Sequence, residues 1–355
     1  MAHETTVLVT DYAWPDLAQE QAVLPHARLV VAHADDAQMA QQAVEADAIL
    51  TCWRSVPPAV LDAARQCKIV ARYGIGLDNI PVAHATGLGM LVTNVPDFCL
   101  DEVSDHALGL ILACARKLVA YAQATQAGVW DLQAGPPMRR LRGQTLGLIG
   151  YGNIAQRLAI KARALGMEIL AYTPRLAPGV LMPDDPVPWG RATNDLHELL
   201  AAADYVSLHV PLNDETRGMI DRAALRSMKP TAYLINTARG AVVDEVALAT
   251  ALAAGTLAGA ALDVLSQEPP PADHPLLAMP QVIATPHAAF VSQEATAELI
   301  YKAATNVAQV LHGQVPQSLV NLAVLSQANC RLDTTTRAGR AFDGEMHGGS
   351  GRGGL

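Results

Sequence analysis

The 355-residue sequence predicts an α/β protein with two parallel sheets, each covered by helices. Short β-branched runs alternate with Ala- and Leu-rich helical stretches along most of the chain. This alternation is typical of parallel sheets, because the connections between parallel strands are usually helices. The alternating series occurs twice, on either side of an apolar stretch at residues 100–118. At this length two domains are expected.

The predicted strands number five in the first series and six in the second. Those of the first series are residues 6–10, 29–32, 48–51, 69–72 and 91–94. Those of the second series are residues 145–149, 168–172, 205–209, 233–236, 258–262 and 282–284. Six strands with five intervening segments is the number expected of a doubly wound sheet that binds a dinucleotide.

Three further segments lie outside these series. Residues 100–118 are acidic at the start, basic at the end and apolar on nearly every side between, which predicts one buried helix. A long helix is predicted at residues 293–312. Residues 323–355 are low in apolar side chains and rich in glycine, which predicts a disordered tail.

Composition restricts the classes of partner and site. The formal net charge is −9, which argues against nucleic-acid binding because that function needs a basic face. The five cysteines follow neither a metal nor a disulfide spacing, so we expect no metal site and a reducing compartment. The sequence shows no secretory leader pattern and no apolar run that could span a bilayer, so we expect a cytoplasmic protein that does not bind membranes.

A glycine-rich turn follows the first strand of the second series. Residues 150–155 read G-x-G-x-x-A and stand between that strand and a predicted helix. Gly150 would permit the tight turn, Gly152 would let the backbone approach a pyrophosphate, and Ala155 would pack helix on strand. The pyrophosphate would lie at the positive end of the helix, beside Asn153 and Ile154. The turn therefore predicts a dinucleotide site.

The end of the next strand bears on which dinucleotide binds there. An NAD enzyme usually has an acidic residue at this position to accept hydrogen bonds from the ribose. Thr173 occupies it here, and Arg175 follows two positions later. Threonine does not repel a 2′-phosphate, and an arginine can bind one. We therefore expect NADP or NAD, with NADP favoured, unless Arg175 is an ordinary surface residue.

Three polar segments end strands of the second series. They contain Arg239 at residues 236–240, Asp263 with Glu268 shortly after it, and His287 at residues 285–290. Because the carboxyl ends of parallel strands share one sheet edge, a cation, a carboxylate and an imidazole are expected in one crevice. Hydride delivery to a ketone builds an alkoxide, which needs a proton donor such as imidazolium.

With these motifs the sequence resembles the D-isomer-specific 2-hydroxyacid dehydrogenases, and most closely their C-terminal-binding-protein branch. The resemblance covers roughly residues 5–322. The segments that carry it are residues 72–79, 93–97, the glycine turn, 236–240 and 286–289. The spacing between the arginine, glutamate and histidine also fits the family.

The resemblance implies two doubly wound domains. A flavodoxin-like substrate domain would consist of residues 1–100, completed by a returning helix at 288–322. A Rossmann nucleotide-binding domain would consist of residues 101–287, and the active site would lie in the cleft between the two. Family members dimerise through the nucleotide domain, which implies a homodimer.

The resemblance also implies roles for the candidate catalytic residues. Arg239 binds the substrate carboxylate and polarises the 2-oxo group, His287 is the acid–base, and Glu268 orients and charges the imidazole. Asp263 contacts the nicotinamide carboxamide. Further cofactor contacts are implied for Val210, Pro211, Thr237 and Ala238.

Substrate contacts are implied for residues that follow the fourth strand of the first series. Backbone N–H groups of the loop 73–76 hold the substrate carboxylate in the family, and a branch-specific arginine faces the substrate. The residues in this sequence are Arg72, Tyr73, Gly74, Ile75 and Gly76.

The activity implied is that of an NAD(P)-dependent D-2-hydroxyacid dehydrogenase acting on a small 2-oxoacid. Two alternatives stay open: a nucleotide-sensing corepressor-like protein, and formate or phosphite oxidation on the same fold. Glu268 argues against formate dehydrogenase, whose relatives pair the histidine with glutamine. The sequence departs from the branch at Val103, where a hydroxyl is usual, and at Phe290, where tryptophan is usual.

Overall fold

The computed structural model describes residues 4–135, 137–173 and 190–333 of the chain. The chain divides into two compact units. The first unit contains the residues up to Pro96 and those from Ile300 onward, and the second unit contains Asp97–Leu299. Compared with the expected domain limits, residues 97–100 and 288–299 therefore group with the second unit.

The first unit contains a five-stranded parallel sheet. Its strands are β1 (Thr6–Val9), β2 (Arg28–Val31), β3 (Ala48–Thr51), β4 (Ile69–Arg72) and β5 (Leu91–Thr93). Its short helices are α1 (Ala18–Val23), α2 (Asp36–Ala43), α3 (Pro58–Ala63) and α4 (Val82–Gly87). The strand order is β2-β1-β3-β4-β5, the flavodoxin-like order of a doubly wound sheet. The five predicted strands are confirmed.

The second unit contains a seven-stranded parallel sheet. Its strands are β6 (Thr145–Ile149), β7 (Glu168–Tyr172), β8 (Gly190–Thr193), β9 (Tyr205–Leu208), β10 (Tyr233–Asn236), β11 (Gly259–Leu262) and β12 (Val282–Ala284). Their order is β12-β11-β10-β9-β6-β7-β8. This is the dinucleotide-binding order with one more strand at the β12 edge, so the predicted fold class is confirmed.

The helices of the second unit cover both faces of this sheet. They are α5 (Leu100–Arg116), α6 (Leu118–Gln126), α7 (Asn153–Ala164), α8 (Leu196–Ala202), α9 (Arg222–Ser227) and α10 (Glu245–Ala253). A last helix, α11 (Gln293–Leu311), contains the boundary between the units. In α5, the side chains of Ala107, Leu110, Ile111 and Cys114 are buried among those of β6 and α7.

Two elements differ from the prediction. Strand β8 was not predicted, because its sequence Gly-Arg-Ala-Thr has little strand propensity and its pairing with the edge of β7 defines it. The single helix predicted at 100–118 is instead interrupted at Lys117, whose φ of 54° is left-handed. The chain continues as α6, which makes an angle of 63° with α5. Among the helices of the described residues, none by itself has the length and apolar character of a membrane span. Taken together, α5 and α6 have that length and composition, but the pair is bent.

The prediction of a disordered tail is wrong for residues 323–333. A 3₁₀ turn at Leu322–Ser326 buries Val324 completely. Asn329 donates from its amide to the carbonyl of Gly87, and Arg331 donates from Nη1 to the carbonyls of Ala64 and Cys67. The sequence did not indicate an ordered segment here because its apolar content is low. Most of the segment is held by hydrogen bonds to carbonyl groups of distant residues. The remainder of the predicted tail, residues 334–355, lies outside the described residues.

Replacing Arg331 with alanine should lower the free energy of unfolding by about 1–3 kcal/mol, because two buried carbonyl groups lose a charged donor. The measurement is urea unfolding of the purified protein. Arg65→Ala is the control, since Arg65 is exposed and should change stability by less than about 0.5 kcal/mol. Equal stability of the two variants would show that the segment does not stabilise the fold.

Candidate active site

The glycine turn is formed where the loops after β6 and β9 meet. Gly150 has a φ of 90°, which favours glycine, and a Cβ there would lie 2.5 Å from the carbonyl oxygen of His209. The same Cβ would also be in contact with the side chain of Val210. These two strands are the neighbours at which the strand order reverses, which is where doubly wound sheets bind their ligands. Gly150 is therefore required for both the turn and the close approach.

The residues after Gly150 form an open cradle at the start of α7. A Cβ built on Gly152 meets no atom within 4 Å, so the backbone is accessible there. The first N–H groups of α7, from Asn153 and Ile154, have no partner within the helix, as at any helix start. Ala155 is fully buried against the sheet. This arrangement fits the pyrophosphate of a dinucleotide.

The other expected cofactor residues lie at the same sheet edge. Thr173 follows β7, is 6% exposed, and donates its N–H to the carbonyl of Thr193 over 3.3 Å. Pro211 follows β9 and is exposed. Thr237 follows β10, and its Oγ1 is buried without a hydrogen-bond partner in the described part of the chain. An orphaned hydroxyl at this edge of the sheet is available to a bound nucleotide. Arg175 lies outside the described residues.

Asn236 shapes the turn that carries Ala238 and Arg239. Its Oδ1 accepts the N–H of Ala238 over 3.0 Å, and its Nδ2 donates to the carbonyl of Arg239 over 2.9 Å. The guanidinium of Arg239 donates from Nη1 to the carbonyl of Ala238 over 2.7 Å. The backbone and side chain of Arg239 are thus both held by the turn.

His287 and Glu268 form a close pair. Nδ1 of the imidazole lies 2.6 Å from Oε2 of the carboxylate, and the two side chains are 23% and 34% exposed. Oε1 of Glu268 accepts the N–H of Leu265 over 2.9 Å. Burial raises the pKa of Glu268, but the hydrogen bond and charge of His287, the N–H of Leu265 and the charge of Arg239 together hold that pKa below its usual value. The carboxylate is therefore ionised near neutral pH.

Asp263 holds the turn on which His287 stands. Its Oδ1 accepts from Thr285 Oγ1 at 2.6 Å and from the N–H of Ala288 at 2.9 Å, and its Oδ2 accepts the N–H of Ala289 at 2.9 Å. His287 itself has a left-handed φ of 51°, which costs a non-glycine residue about 1–2 kcal/mol. Both oxygens of Asp263 are thus committed to the protein, so its expected contact with the cofactor stays a prediction.

Aromatic and imidazole rings surround this turn. Phe290 meets the His287 ring edge-on at 6.1 Å between centroids, and Phe98 meets Phe290 in the same way. His106 approaches from α5, with Nε2 at 3.0 Å from Thr285 Oγ1 and 3.5 Å from Asp263 Oδ1. His106 thus contacts two of the side chains that hold the turn of His287.

The expected substrate residues belong to the first unit and form a loop after β4. Arg72 is only 6% exposed and donates from Nε to the carbonyl of Gly76 and from Nη1 to that of Tyr73. Its guanidinium therefore braces the loop. Tyr73 donates its N–H to the carbonyl of Thr51, and its hydroxyl is buried against Glu20, so its expected contact with the substrate stays a prediction.

The other expected carboxylate donors of this loop are the N–H groups of Gly74, Ile75 and Gly76. In the described residues none of the three donates to a backbone carbonyl, whereas the carbonyls of Gly74 and Ile75 accept from Val95 and Asn94. Gly74 has a φ of 142°, and a Cβ there would press on the guanidinium of Arg72. The loop therefore presents fixed N–H donors, the kind of nest that binds a carboxylate.

A nucleotide cradle and an ionised Glu–His pair on one sheet edge define a dinucleotide-dependent oxidoreductase. Residues 108–289 match the family profile described as "D-isomer specific 2-hydroxyacid dehydrogenase, NAD binding domain". The chain belongs to the D-isomer specific 2-hydroxyacid dehydrogenase family. It is accordingly an NAD- or NADP-dependent oxidoreductase that acts on a CH–OH group.

Individual relatives agree with this assignment. The chain is 40% identical to the glyoxylate reductase of Korarchaeum cryptofilum over 269 residues, which is 75% of this chain and 80% of the relative. It resembles the NADPH-dependent glyoxylate/hydroxypyruvate reductase of Sinorhizobium meliloti, solved with NADP and malonate, at a TM-score of 0.79 and 29% identity, over 93% of this chain and 98% of that one. The D-lactate dehydrogenase of Aquifex aeolicus, solved with NAD and lactic acid, gives a TM-score of 0.78 at 27% identity, over 86% and 96%.

Acid should destabilise the protein through His209, whose carbonyl oxygen lies close to Gly150. The residue keeps some exposed surface, but burial of its imidazole lowers the pKa to about 4 from 6.5. Between these values the unfolded chain binds the proton and the folded chain does not, so stability falls as the pH falls. This group contributes at most about 3 kcal/mol to that fall.

The change to measure is His209→Gln, which should flatten the dependence of the unfolding free energy on pH between 6.5 and 4. His197→Gln is the matched control, because both histidines contact a serine hydroxyl, His209 that of Ser207 and His197 that of Ser227, but His197 is exposed. An unchanged pH dependence in His209→Gln would contradict the assignment.

Proposed function

We propose that the chain reduces small 2-oxoacids of the glyoxylate and hydroxypyruvate class, with His287 as proton donor and Arg239 as substrate-binding cation. The 2.6 Å contact between His287 Nδ1 and Glu268 is the observation that carries this proposal. The relatives that are named for these substrates, from Korarchaeum cryptofilum and Sinorhizobium meliloti, support the substrate class. The closer assignment to the C-terminal-binding-protein branch stays a prediction.

The pairing decides which imidazole nitrogen reacts. Because Nδ1 is held by Glu268, Nε2 is the nitrogen left to give a proton to the substrate. The ionised carboxylate accepts the hydrogen bond from Nδ1 and thereby fixes the orientation of the imidazole ring. A bound nicotinamide supplies or accepts the hydride. In the reduction direction, His287 then protonates the oxygen that was the 2-oxo group.

Arg239 provides the complementary charge. A guanidinium can bind two oxygens at once, which suits the carboxylate and oxo group of a planar 2-oxoacid. Its attachment to the Asn236 turn fixes its backbone, and its charge reaches Glu268. In the first unit, the N–H groups of Gly74, Ile75 and Gly76 are further carboxylate donors, and we propose them as substrate contacts.

We also propose a homodimer and a cytoplasmic location. Around and after α6, in the second unit, Trp130 is 92% exposed and Leu132 is 91% exposed, with Leu118 and Met138 also exposed. Apolar surface of this kind marks an interaction site, and a second copy of the chain is the partner we propose. Mass measurement in solution tests whether the chain forms a homodimer.

The proposed location rests on the five free cysteines, which favour a reducing compartment. No nucleic-acid partner is expected.

The function is tested by turnover of a panel of small 2-oxoacids with NADH and NADPH, comparing wild type with His287→Asn. Loss of the proton donor should lower kcat by about 10²–10⁴-fold while nucleotide affinity stays close to normal. Turnover of the variant within a few-fold of wild type would remove His287 from the mechanism. Absence of turnover by wild type with the whole panel would contradict the substrate class.

Cofactor preference is tested at Thr173. If Arg175 binds the 2′-phosphate, NADPH gains a charge-assisted hydrogen bond of about 1.5–3 kcal/mol, which corresponds to roughly ten- to hundredfold in affinity. Thr173→Asp should reverse the preference by accepting from the ribose and repelling the phosphate. Arg175→Ala should weaken NADPH alone. The measurement is the dissociation constants of NADPH and NADH at fixed ionic strength, for wild type and both variants. Equal or better use of NADH by wild type would contradict the preference for NADPH.

A further inference from the structure

The loop that carries Glu268 is fixed at one peptide bond, between Leu265 and Ser266. A Cβ built on Gly240 would overlap the carbonyl carbon of Leu265 and the nitrogen of Ser266. Gly240 is the residue after Arg239, so the arginine turn and the glutamate loop touch directly at this bond. Only a residue without a side chain allows that approach.

A second carboxylate holds the N–H group of the same peptide bond. Glu245, the first residue of α10, accepts the N–H of Ser266 at Oε1 over 2.6 Å and its hydroxyl at Oε2 over 2.7 Å. Nε2 of His274, at the far end of the loop, lies 3.2 Å from the same Oε2. The Glu245 side chain is 15% exposed and that of His274 is 13% exposed. One mostly buried carboxylate therefore closes the loop at both ends.

The contact leads to the reacting imidazole through consecutive hydrogen bonds. The N–H of Ser266 is bound by Glu245, and the preceding N–H, of Leu265, is bound by Glu268. Glu268 then holds Nδ1 of His287. Two adjacent peptide N–H groups thus bind two carboxylates, one at the site and one behind it. Displacement of the peptide would displace the Oε1 contact that orients Glu268.

We propose that Glu245 is a positioning residue for the reaction, acting through the Leu265–Ser266 peptide on Glu268 and hence on the imidazole of His287. The inference rests on the roles proposed above for Glu268 and His287. It gives a mechanistic role to a residue whose side chain binds the N–H and the hydroxyl of Ser266. Ser266 and His274 complete the clamp that Glu245 forms.

Glu245→Gln tests the proposal, because the amide keeps the size of the side chain but places an NH₂ group against the donors it now accepts. We expect kcat to fall about 10- to 100-fold, the range expected for small misplacement of a catalytic group. Nucleotide affinity should stay within about 2-fold, since the cradle at residues 150–155 is untouched. The comparison is made with the full-length protein and the best 2-oxoacid of the panel.

A double-mutant cycle separates positioning from loss of fold. If Glu245 acts through Glu268, then Glu245→Gln should cost less than about 3-fold in kcat once Glu268 is already glutamine, because residues that act as one unit are not additive. Its full effect in the Glu268→Gln background would overturn the proposal. No effect of Glu268→Gln on wild-type turnover would overturn the role of Glu268 and this inference with it, whereas turnover itself would still support the proposed reaction.

A readout without turnover comes from the Nδ1 proton of His287 in the nucleotide-free protein. Its resonance is assigned by its loss in His287→Asn, and it should move upfield in Glu245→Gln as the bond to Glu268 lengthens. Asp204→Asn is the matched control, since Asp204 is a carboxylate 10% exposed that binds the N–H of Thr145 and the ammonium of Lys229 at the opposite sheet edge. It should destabilise the protein but leave the resonance and kcat close to wild type. An unmoved resonance in Glu245→Gln would overturn the proposal.

Should Glu245→Gln fail to fold, Ser266→Ala replaces it in the same cycle. That variant loses only the hydroxyl contact to Oε2 and keeps the N–H contact to Oε1. We expect a smaller loss, about 2- to 10-fold in kcat, with the same lack of additivity towards Glu268→Gln. Full additivity would again overturn the inference.

Discussion

The carboxylate of Asp263 is the interaction on which the arrangement of the second unit's site depends. It ends β11, is almost completely buried, and binds two backbone N–H groups and one hydroxyl of the segment after β12. These bonds compensate the cost of burying a charge. They also hold His287 in a left-handed conformation that a histidine would otherwise leave. The Asp263 side chain therefore fixes the turn from which the imidazole meets Glu268.

Three carboxylates in this unit share the same physical arrangement. Asp263, Glu268 and Glu245 each bind backbone N–H groups of loops at the carboxyl ends of strands. Such bonds are charge-assisted and directional, so they fix loops more firmly than apolar packing does. The carboxylate of Glu268 also contacts the imidazole of His287, which is proposed to exchange protons with the substrate. The other two confer the rigidity that makes its position reproducible.

Much of this could be predicted from the sequence, because parallel strands bring their carboxyl ends to one edge whatever the loops do. Arg239, Glu268 and His287 were therefore expected together, and the structure brings Glu268 within hydrogen-bond distance of His287 and within range of the Arg239 charge. The nucleotide cradle was readable for the same reason, since a glycine pattern after a strand has few other structural meanings.

What the sequence did not reveal depends on contacts between distant residues. Strand β8 is defined by its pairing with β7. Arg331 is held by hydrogen bonds to carbonyl groups more than 260 residues earlier in the chain. The Tyr73 hydroxyl meets Glu20 inside the first unit, whereas its place in a glycine-rich motif suggested an accessible loop. Glu245 stands in the first turn of a helix, a position that favours carboxylates for their charge alone. Only the fold shows that Ser266 lies against it.

The glycines of the site have a related function. Gly150 lets the loops after β6 and β9 approach within contact distance, and Gly240 does the same for the loops after β10 and β11. Each stands where backbone meets backbone at the carboxyl edge, so each links two strands through a contact no side chain can replace. At the first contact the result is an open cradle for phosphate. At the second, the N–H of Ser266 is bound by Glu245. The same sheet edge thus supports an accessible site and a clamped one, and the difference is whether a carboxylate already occupies the N–H groups.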